Sequence, residues 1–358
     1  MISFPIIPGV EISLLLLIFL GFAVGVIKGF VGVGGGFLVT PALIIIGLPA
    51  NFAAGTSLMW VVGSSIIGSL RHRELGNIDL KLGVIIIVSA MGGIELGVRL
   101  LNMVRDMGVA EEVVLTVSIV ILLSVGTYML CEALKRKAEL DRMVKGDEKL
   151  PPPAAGLTSL SQKLQSLNIP PMIHLTRAKI TISLWLIIII GFFTGVLAGL
   201  MGVGGGFIMV PSMVYLLGIT SFVAVGTDMF QIIFSGCYGA LRHAMSGNVE
   251  IFTAFVMVLA SGVGVQLGAL ATKYARGVSM RFVLGIAIMF AVIGSILKLL
   301  FFILPVDTAW LSTSSLVITF GGAALVLVLI LWLFTIGVSY RRGHHVPDWA
   351  VSLVARED

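Results

Sequence analysis

Two short polar motifs lie within strongly apolar sequence and have the residue types that could bind a ligand. Gly55-Thr56-Ser57 opens one long apolar run, and Gly226-Thr227-Asp228 opens another, with Gln231 one helical turn further on. Hydroxyl groups can cap a helix or donate hydrogen bonds to a ligand. A carboxylate within a membrane segment usually lines a pathway or carries a proton. These motifs are therefore predicted substrate contacts, and capping of the helix start is the alternative.

Glycine-rich runs precede both motifs. Gly32-Val33-Gly34-Gly35-Gly36 and Gly202-Val203-Gly204-Gly205-Gly206 are poor helix interiors, because each glycine costs about 1 kcal/mol relative to alanine. Inside a membrane, unwound backbone is tolerated only where it is buried in protein or lines a watery cavity. A short helix that begins at such a break directs its amide groups toward it, which attracts anions. The runs predict an anion site, and a tight turn between packed helices is the alternative.

Further charges lie at the ends of, or inside, the apolar runs. Arg71-His72 and Arg242-His243 end two long runs, and we interpret them as cations at the two mouths of an anion path. Anchoring at the membrane surface is the alternative for these residues. Lys28 and Glu95 lie within apolar runs, and either could be paired with the other.

The composition indicates what kind of element carries these motifs. Of the 358 residues, 58% are hydrophobic and 11% are charged, whereas an average soluble domain has about 25% charged residues. The mean hydropathy is +1.11. The apolar residues come in blocks of about twenty, which is the length that crosses about 30 Å of hydrocarbon. A soluble enzyme, a disordered chain and a nucleic-acid-binding protein are excluded, and an all-α polytopic membrane protein is predicted.

Eleven apolar segments are predicted, and two of them are short. Segments 36–48 and 206–218 contain Pro41 and Pro211 and are too short for an upright helix to cross, so they suggest broken or half-spanning helices. Whether these two fully cross the membrane stays open. The longer segments are 12–31, 50–70, 79–100, 112–131, 182–200, 221–241, 249–271, 281–303 and 311–338.

The two halves of the chain repeat each other. Residues 21–42 and 191–212 are identical at 12 of 22 positions without a gap, and the later polar motifs match as well. Glycines spaced by four residues in both copies predict close helix packing. Each half has five elements, an odd number, so the second half is expected to be inverted in the membrane. The predicted division is 1–131 for the first repeat, 132–180 for a linker, 181–303 for the second repeat and 304–358 for an extra helix and tail.

The loop charges predict the orientation. The linker holds nine Lys and Arg residues, and positively charged loops of this length stay in the cytoplasm. The N-terminus is then outside and the C-terminal tail, with Arg341 and Arg342, is cytoplasmic. Leucines between 157 and 167 suggest an amphipathic helix in the linker, with a loose solvated turn as the alternative. We expect no secretory signal peptide, because the first basic residue is Lys28.

Sequence patterns for catalysis or metal binding are missing. There is no Gly-x-Ser-x-Gly motif and no His-x-x-x-His pair, and Cys131 and Cys237 are interpreted as small apolar residues. We therefore predict no enzymatic activity, no cofactor, no metal and no nucleic-acid partner. The expected partners are a small anion and the lipid bilayer, and an oligomer stays open.

The doubled run Gly-x-x-x-Gly-x-x-Gly-Val-Gly-Gly-Gly-Phe…Pro, followed by Gly-Thr and by Gly-Asn-Ile/Val-Asp/Glu, resembles the sulfite exporter TauE/SafE family over about two-thirds of the chain. The resemblance implies transport of sulfite, sulfonates or other small organic anions across the cytoplasmic membrane, usually outward. Lys28, the long linker and the extra helix depart from the common pattern.

The predicted function is a secondary transporter for a small anion in the inner (cytoplasmic) membrane, with export as the implied direction and proton coupling through Asp228 as a hypothesis. The alternatives are a channel or cation carrier, and a membrane scaffold or sensor that transports nothing.

Overall fold

The fold is all-α, as the composition predicts. A computed structural model describes residues 2–3, 11–32, 34–74, 76–144, 169–178, 180–272, 274, 277–304 and 309–342. Within these residues, eight helices are long and apolar enough to cross a membrane. The predicted amphipathic helix of the linker lies outside the described residues. The chain is therefore a multi-pass membrane protein.

The helices follow the predicted segments closely. The first half contains α1 (Leu14–Val31), α2 (Gly36–Ile45), α3 (Ala50–Glu74), α4 (Leu80–Asp106) and α5 (Ala110–Val144). The second half contains α6 (Leu184–Met201), α7 (Gly206–Pro211, continued by the π-helical turn Ser212–Leu216), α8 (Ser221–Met245), α9 (Ile251–Thr272) and α10 (Gly277–Ile303). Helix α11 (Ala309–Arg341) is the extra one. Since α5 continues to Val144, the first residues of the predicted linker are helical.

The predicted breaks before the two short helices are confirmed. Gly32 and Gly202 are the C-caps of α1 and α6, and their φ angles are +77° and +71°. Helices α2 and α7 are preceded by Gly35 and Gly205, with φ of +75° and +77°. Because a side chain is strained at positive φ, the backbone geometry itself requires glycine at these positions.

A two-stranded hairpin precedes each half, which the sequence analysis does not predict. Strand β1 (Ile2–Ser3) pairs antiparallel with β2 (Glu11–Ile12), directly before α1. Strand β3 (Met172–Leu175) pairs antiparallel with β4 (Ile180–Ser183), directly before α6. Ile12 and Ile182 are both buried, so each hairpin is tied to the helical core by an apolar side chain.

Helices from different halves pack through the predicted glycines. Helix α1 lies on α9, and α6 lies on α4. A Cβ atom added to Gly25 would lie 2.8 Å from Cα of Ser261, and one added to Gly195 would lie 2.8 Å from Cα of Ala90. Backbones can approach this closely only through small residues. The prediction of close packing at these glycines is confirmed.

Helices α3 and α8, which are equivalent in the two halves, pack on each other. The added Cβ at Gly239 would lie 3.0 Å from Leu58, and Met229 lies beside Gly68. Residue numbers therefore rise along one helix as they fall along the other, which means that α3 and α8 run antiparallel.

Candidate functional site

The two glycine breaks meet each other. A Cβ atom added to Gly206 would lie 3.0 Å from the amide nitrogen of Gly34. Next to this contact the rings of Phe37 and Phe207 have their centroids 5.4 Å apart. Phe37 and Phe207 are equivalent residues, 170 positions apart, so they touch where the two halves meet. We call this region, which is formed by Gly34, Gly206, Phe37 and Phe207, the crossing.

Two apolar side chains from α3 and α8 cover the crossing. Cγ1 of Val61 lies 2.8 Å from the Cβ position of Gly204. Cδ1 of Ile232 lies 3.4 Å from the Cβ position of Gly34 and 3.2 Å from that of Gly206. Val61 and Ile232 are equivalent, 171 positions apart. The glycine runs are therefore buried in the protein interior, where side chains of α3 and α8 cover them.

Asp228 lies inside α8, not at its start. The helix begins at Ser221 and its N-cap is Thr220, so the interpretation of Asp228 as a helix cap is wrong. Its side chain is 0% exposed. Oδ1 accepts a hydrogen bond of 3.0 Å from Nε2 of Gln231, whereas Oδ2 has no hydrogen-bond partner among the described residues. Oδ2 lies directly against the Cβ position of Gly206, which places it at the crossing.

Gln231 links Asp228 to a third polar residue. Oγ of Ser235 donates to Oε1 of Gln231 over 2.8 Å. Residues three and four positions apart lie on one face of a helix, so Asp228, Gln231 and Ser235 form one buried polar row along α8. The sequence predicts the first two members, and it does not indicate Ser235.

Lys28, which the sequence analysis leaves out of the site, lies next to the crossing, because its ammonium group donates to the carbonyl oxygen of Val61 at 3.3 Å. Its ammonium group donates to Oγ of Ser64 at 2.6 Å and to Oγ of Ser65 at 2.8 Å. The side chain is 1% exposed. Glu95 is bound elsewhere, so the suggested pairing of Lys28 with Glu95 is wrong. One sequence signal was available, because Ser64 follows Ser57 by seven residues and so lies on the same face of α3.

Ser57 and the two threonines have distinct partners. Oγ of Ser57 donates to the carbonyl oxygen of Gly36 over 3.4 Å, which puts Ser57 at the crossing. Oγ1 of Thr56 accepts from the backbone N–H of Glu250, and Oγ1 of Thr227 accepts from that of Asp79, both at 3.0 Å. Each threonine thus satisfies a backbone donor that precedes α9 or α4 of the opposite half. Neither caps its own helix, because both lie inside α3 or α8.

Arg242 and His243 are engaged by protein groups. Nε of Arg242 lies 2.6 Å from Oε2 of Glu95, which also accepts from the Tyr238 hydroxyl at 2.8 Å. His243 is 0% exposed, and its Nε2 lies 2.9 Å from the carbonyl oxygen of Gly199. His72 is partly buried, and the side chain of Arg71 lies outside the described residues. Surface anchoring therefore does not describe His243, and Arg242 is held in an ion pair between α8 and α4.

Comparison with known proteins identifies the family. The chain is 26% identical to a probable membrane transporter protein, YunE, of Bacillus subtilis over 72% of this chain and 88% of the relative. It is 28% identical to a probable membrane transporter protein of Methanocaldococcus jannaschii over 55% of this chain and 60% of the relative. No solved structure matches the chain. A profile described as Sulfite exporter TauE/SafE matches residues 17–296. The chain belongs to the sulfite exporter TauE/SafE family.

Proposed function

We propose that this membrane transporter is a secondary transporter for a small anion and that the anion binds at the crossing. The observation that carries the proposal is the buried polar cluster there, with Lys28 from the first half and Asp228 from the second. Ionisable residues inside a membrane protein are costly and usually mark a transport path. A membrane scaffold or sensor would not need such groups at the contact between two unwound segments.

The relation between the halves supports alternating access. Equivalent helices α3 and α8 run antiparallel, and α1 packs on α9 as α6 packs on α4. We infer that an axis perpendicular to the helices relates the halves, which makes them inverted repeats. In such transporters the substrate site lies between the repeats near the middle of the bilayer. The predicted division at 131, 180 and 303 follows from this inference, with the linker as the connection between repeats.

Cysteine labelling tests the inverted arrangement. Gly76 and Gly247 occupy equivalent turns, both with φ of +70°, so Gly76→Cys and Gly247→Cys experience the same backbone strain. Cys131 and Cys237 are free and exposed and are replaced first. With the N-terminus outside, a membrane-impermeant maleimide added to intact cells should label Cys at 247 and leave Cys at 76 unlabelled. Labelling of both from the same side contradicts inversion.

The transport proposal is tested in proteoliposomes. Purified protein is reconstituted, and the flux of sulfite, small sulfonates and small carboxylates is measured against protein-free vesicles. Saturable anion flux is expected, with net efflux from the cytoplasmic side in the cell. A flux of cations alone would favour the cation carrier, non-saturable flux would favour a channel, and no flux with any anion would favour the scaffold.

Gly205→Ala is expected to lower the flux per folded protein at least tenfold. The added methyl lies 3.4 Å from the carbonyl oxygen of Thr194, an ordinary contact, and φ at this residue is +77°. Its effect on packing is therefore small, and it removes access of a ligand to the backbone at the break. Flux is normalised to the amount of monodisperse protein.

Gly108→Ala is the matched control for this variant. Gly108 has φ of +75°, and no atom of the described residues lies within 4 Å of its Cβ position, so alanine there causes the same backbone strain in the turn after α4. We expect wild-type flux per folded protein. Equal flux in Gly108→Ala and Gly205→Ala would show that the break has a structural role alone.

A further inference from the structure

We propose that Lys28, together with Ser64 and Ser65, is the anion-binding centre of the crossing and that it takes a singly charged oxyanion. This inference rests on the proposed function. It identifies the residues that bind the anion and the charge of that anion, which the glycine runs and the Gly-Thr motifs do not indicate.

Among the described residues, the hydrogen-bond partners of the Lys28 ammonium group are all neutral. It donates to the hydroxyls of Ser64 and Ser65, and to the carbonyl oxygen of Val61 at 3.3 Å. Removal of a charge from water is expensive unless an opposite charge compensates for it. Lys28 is therefore held ready for an anion, since a charge-assisted hydrogen bond is about twice as strong as a neutral one.

The hydroxyl of Ser64 can change its partner. It donates to the carbonyl oxygen of Trp60, one turn earlier in α3, at 3.0 Å. Such local bonds from serine to the preceding helical turn are easily exchanged, because the hydroxyl rotates freely. An anion that binds between Lys28 and Ser64 would therefore gain one ammonium and one hydroxyl donor without disrupting the helix.

The buried carboxylate of the crossing, Asp228, is bound by a different group. Oδ1 of Asp228 accepts from Gln231, and Asp228 is not among the described hydrogen-bond acceptors of Lys28. The centre thus contains one positive and one negative charge. A singly charged anion adds one negative charge, whereas a dianion adds two, and an unpaired charge in a buried site is destabilising. The charge count favours the monoanion.

The two halves differ at this centre, although the helices pack in the same way. Ala198 stands in α6 where Lys28 stands in α1, and Gly236 stands in α8 where Ser65 stands in α3. Because α6 packs on α4 without a lysine, helix packing does not require one at residue 28. Lys28 and Ser65 are features of one half only, as expected for a single binding centre, whereas Ser64 is matched by Ser235.

The ring of Trp60 forms one wall of the centre. Nζ of Lys28 lies 5.5 Å from the centroid of this ring, which is 0% exposed. The indole Nε1 donates to the carbonyl oxygen of Met257 over 3.1 Å, which fixes the ring in place. A cation over an aromatic face is stabilised, so the ring helps to hold the ammonium group in position before a ligand arrives.

Binding is measured as the shift of the thermal unfolding midpoint of detergent-purified protein. Methanesulfonate is the monovalent probe, sulfate is the divalent probe, and chloride keeps the ionic strength constant. Methanesulfonate should raise the midpoint of the wild type in a saturable manner, and sulfate should raise it less. In Lys28→Met the apparent Kd for methanesulfonate should increase at least tenfold.

Lys298→Met is the matched control. Lys298 is also a buried lysine that donates to a serine hydroxyl, Ser312, at 3.1 Å, and it lies 5.0 Å from the centroid of Phe301. It belongs to α10, which packs on the extra helix, away from the crossing. Its replacement should leave the methanesulfonate shift unchanged.

Ser65→Ala provides a second variant if Lys28→Met fails to fold. It removes one partner of Lys28 and should weaken methanesulfonate binding about tenfold, while Ser118→Ala in α5, whose hydroxyl bonds its own helix, should not. Wild-type affinity in Lys28→Met or Ser65→Ala, an absent shift in the wild type, or an equal shift with sulfate overturns the inference. Binding that depends on Lys28 without any flux in vesicles would support the centre and overturn the transport proposal.

Discussion

Gly93→Ala should yield far less folded protein than Gly92→Ala, although the two glycines are adjacent in α4. The Cβ position of Gly93 overlaps the carbonyl oxygen of Phe192 and lies 2.7 Å from the amide nitrogen of Val196. Both are backbone atoms, so the methyl fits only if α4 and α6 separate. Overpacking of this kind costs typically 1–3 kcal/mol and sometimes more, and here it opens a whole helix interface.

Gly92 is the matched control because its Cβ position meets only the ring of Phe192, at 3.8 Å. Alanine there should be neutral or stabilise the helix by up to about 1 kcal/mol. The measurement is the monodisperse fraction after extraction and its unfolding midpoint. Equal behaviour of the two variants would contradict the close approach of α4 and α6.

The second half offers the same comparison. The Cβ position of Gly264 overlaps the carbonyl oxygen of Phe22 in α1, whereas that of Gly262 meets only Cδ1 of Ile67, at 3.7 Å. Gly264→Ala should therefore behave as Gly93→Ala does, and Gly262→Ala as Gly92→Ala does. A large difference between Gly93→Ala and Gly264→Ala in these measurements would show that the two helix interfaces do not contribute equally to stability.

Much of the fold is predictable because its local causes are in the sequence. Apolar runs of helical length predict the helices, and clustered glycines predict the breaks at Gly32 and Gly202. The paired glycines spaced by four predict that some helix approaches closely. They do not identify that helix, because a helix face made of glycines can pack closely against any other helix. The structure shows that α1 meets α9 across the halves.

The site was less predictable because its contacts are long-range. Lys28 meets Ser64, 36 positions away, and a buried lysine among glycines has the same local pattern whether it binds an anion or a carboxylate. Thr56 satisfies a backbone donor of Glu250, 194 positions away. The hairpins were missed for another reason, because two- and four-residue strands are too short for alternation of apolar residues to be visible.

The duplication separates packing from function at the crossing. Where both halves keep the same residue type, as at Phe37 and Phe207 or at Thr56 and Thr227, the side chain serves the contact between the halves. Where they differ, as at Lys28, the shared packing does not explain the residue. Ser57 and Asp228 also occupy equivalent positions, so the same reasoning marks Asp228 as a residue retained for something other than packing.

Asp228→Asn is expected to keep anion binding and to lose the pH dependence of transport. The carboxylate repels a neighbouring anion when it is ionised and stops repelling it when it is protonated. Wild-type flux should therefore increase as the pH falls. The asparagine side chain is neutral at every pH, as the protonated carboxyl group is, so the flux of the variant should not change with pH. Oδ1 can still accept from Gln231, because asparagine has the same shape, so the row along α8 is preserved.

Asp79→Asn is the control for the same chemical change at another buried carboxylate. Asp79 is 1% exposed, and its Oδ1 caps α4 by accepting from the N–H of Leu82 at 3.2 Å. Asparagine is a comparable cap for α4 but loses the acceptor for the N–H of Arg177, a bond of 2.9 Å to Oδ2. Flux is therefore normalised to folded protein, and the pH profile should stay that of the wild type. Anion flux is measured in proteoliposomes at several pH values with the anion gradient held constant. If Asp228→Asn has the same pH profile as the wild type, the carboxylate does not carry the coupled proton, and its burial at Gly206 must then have a purely electrostatic role opposite Lys28.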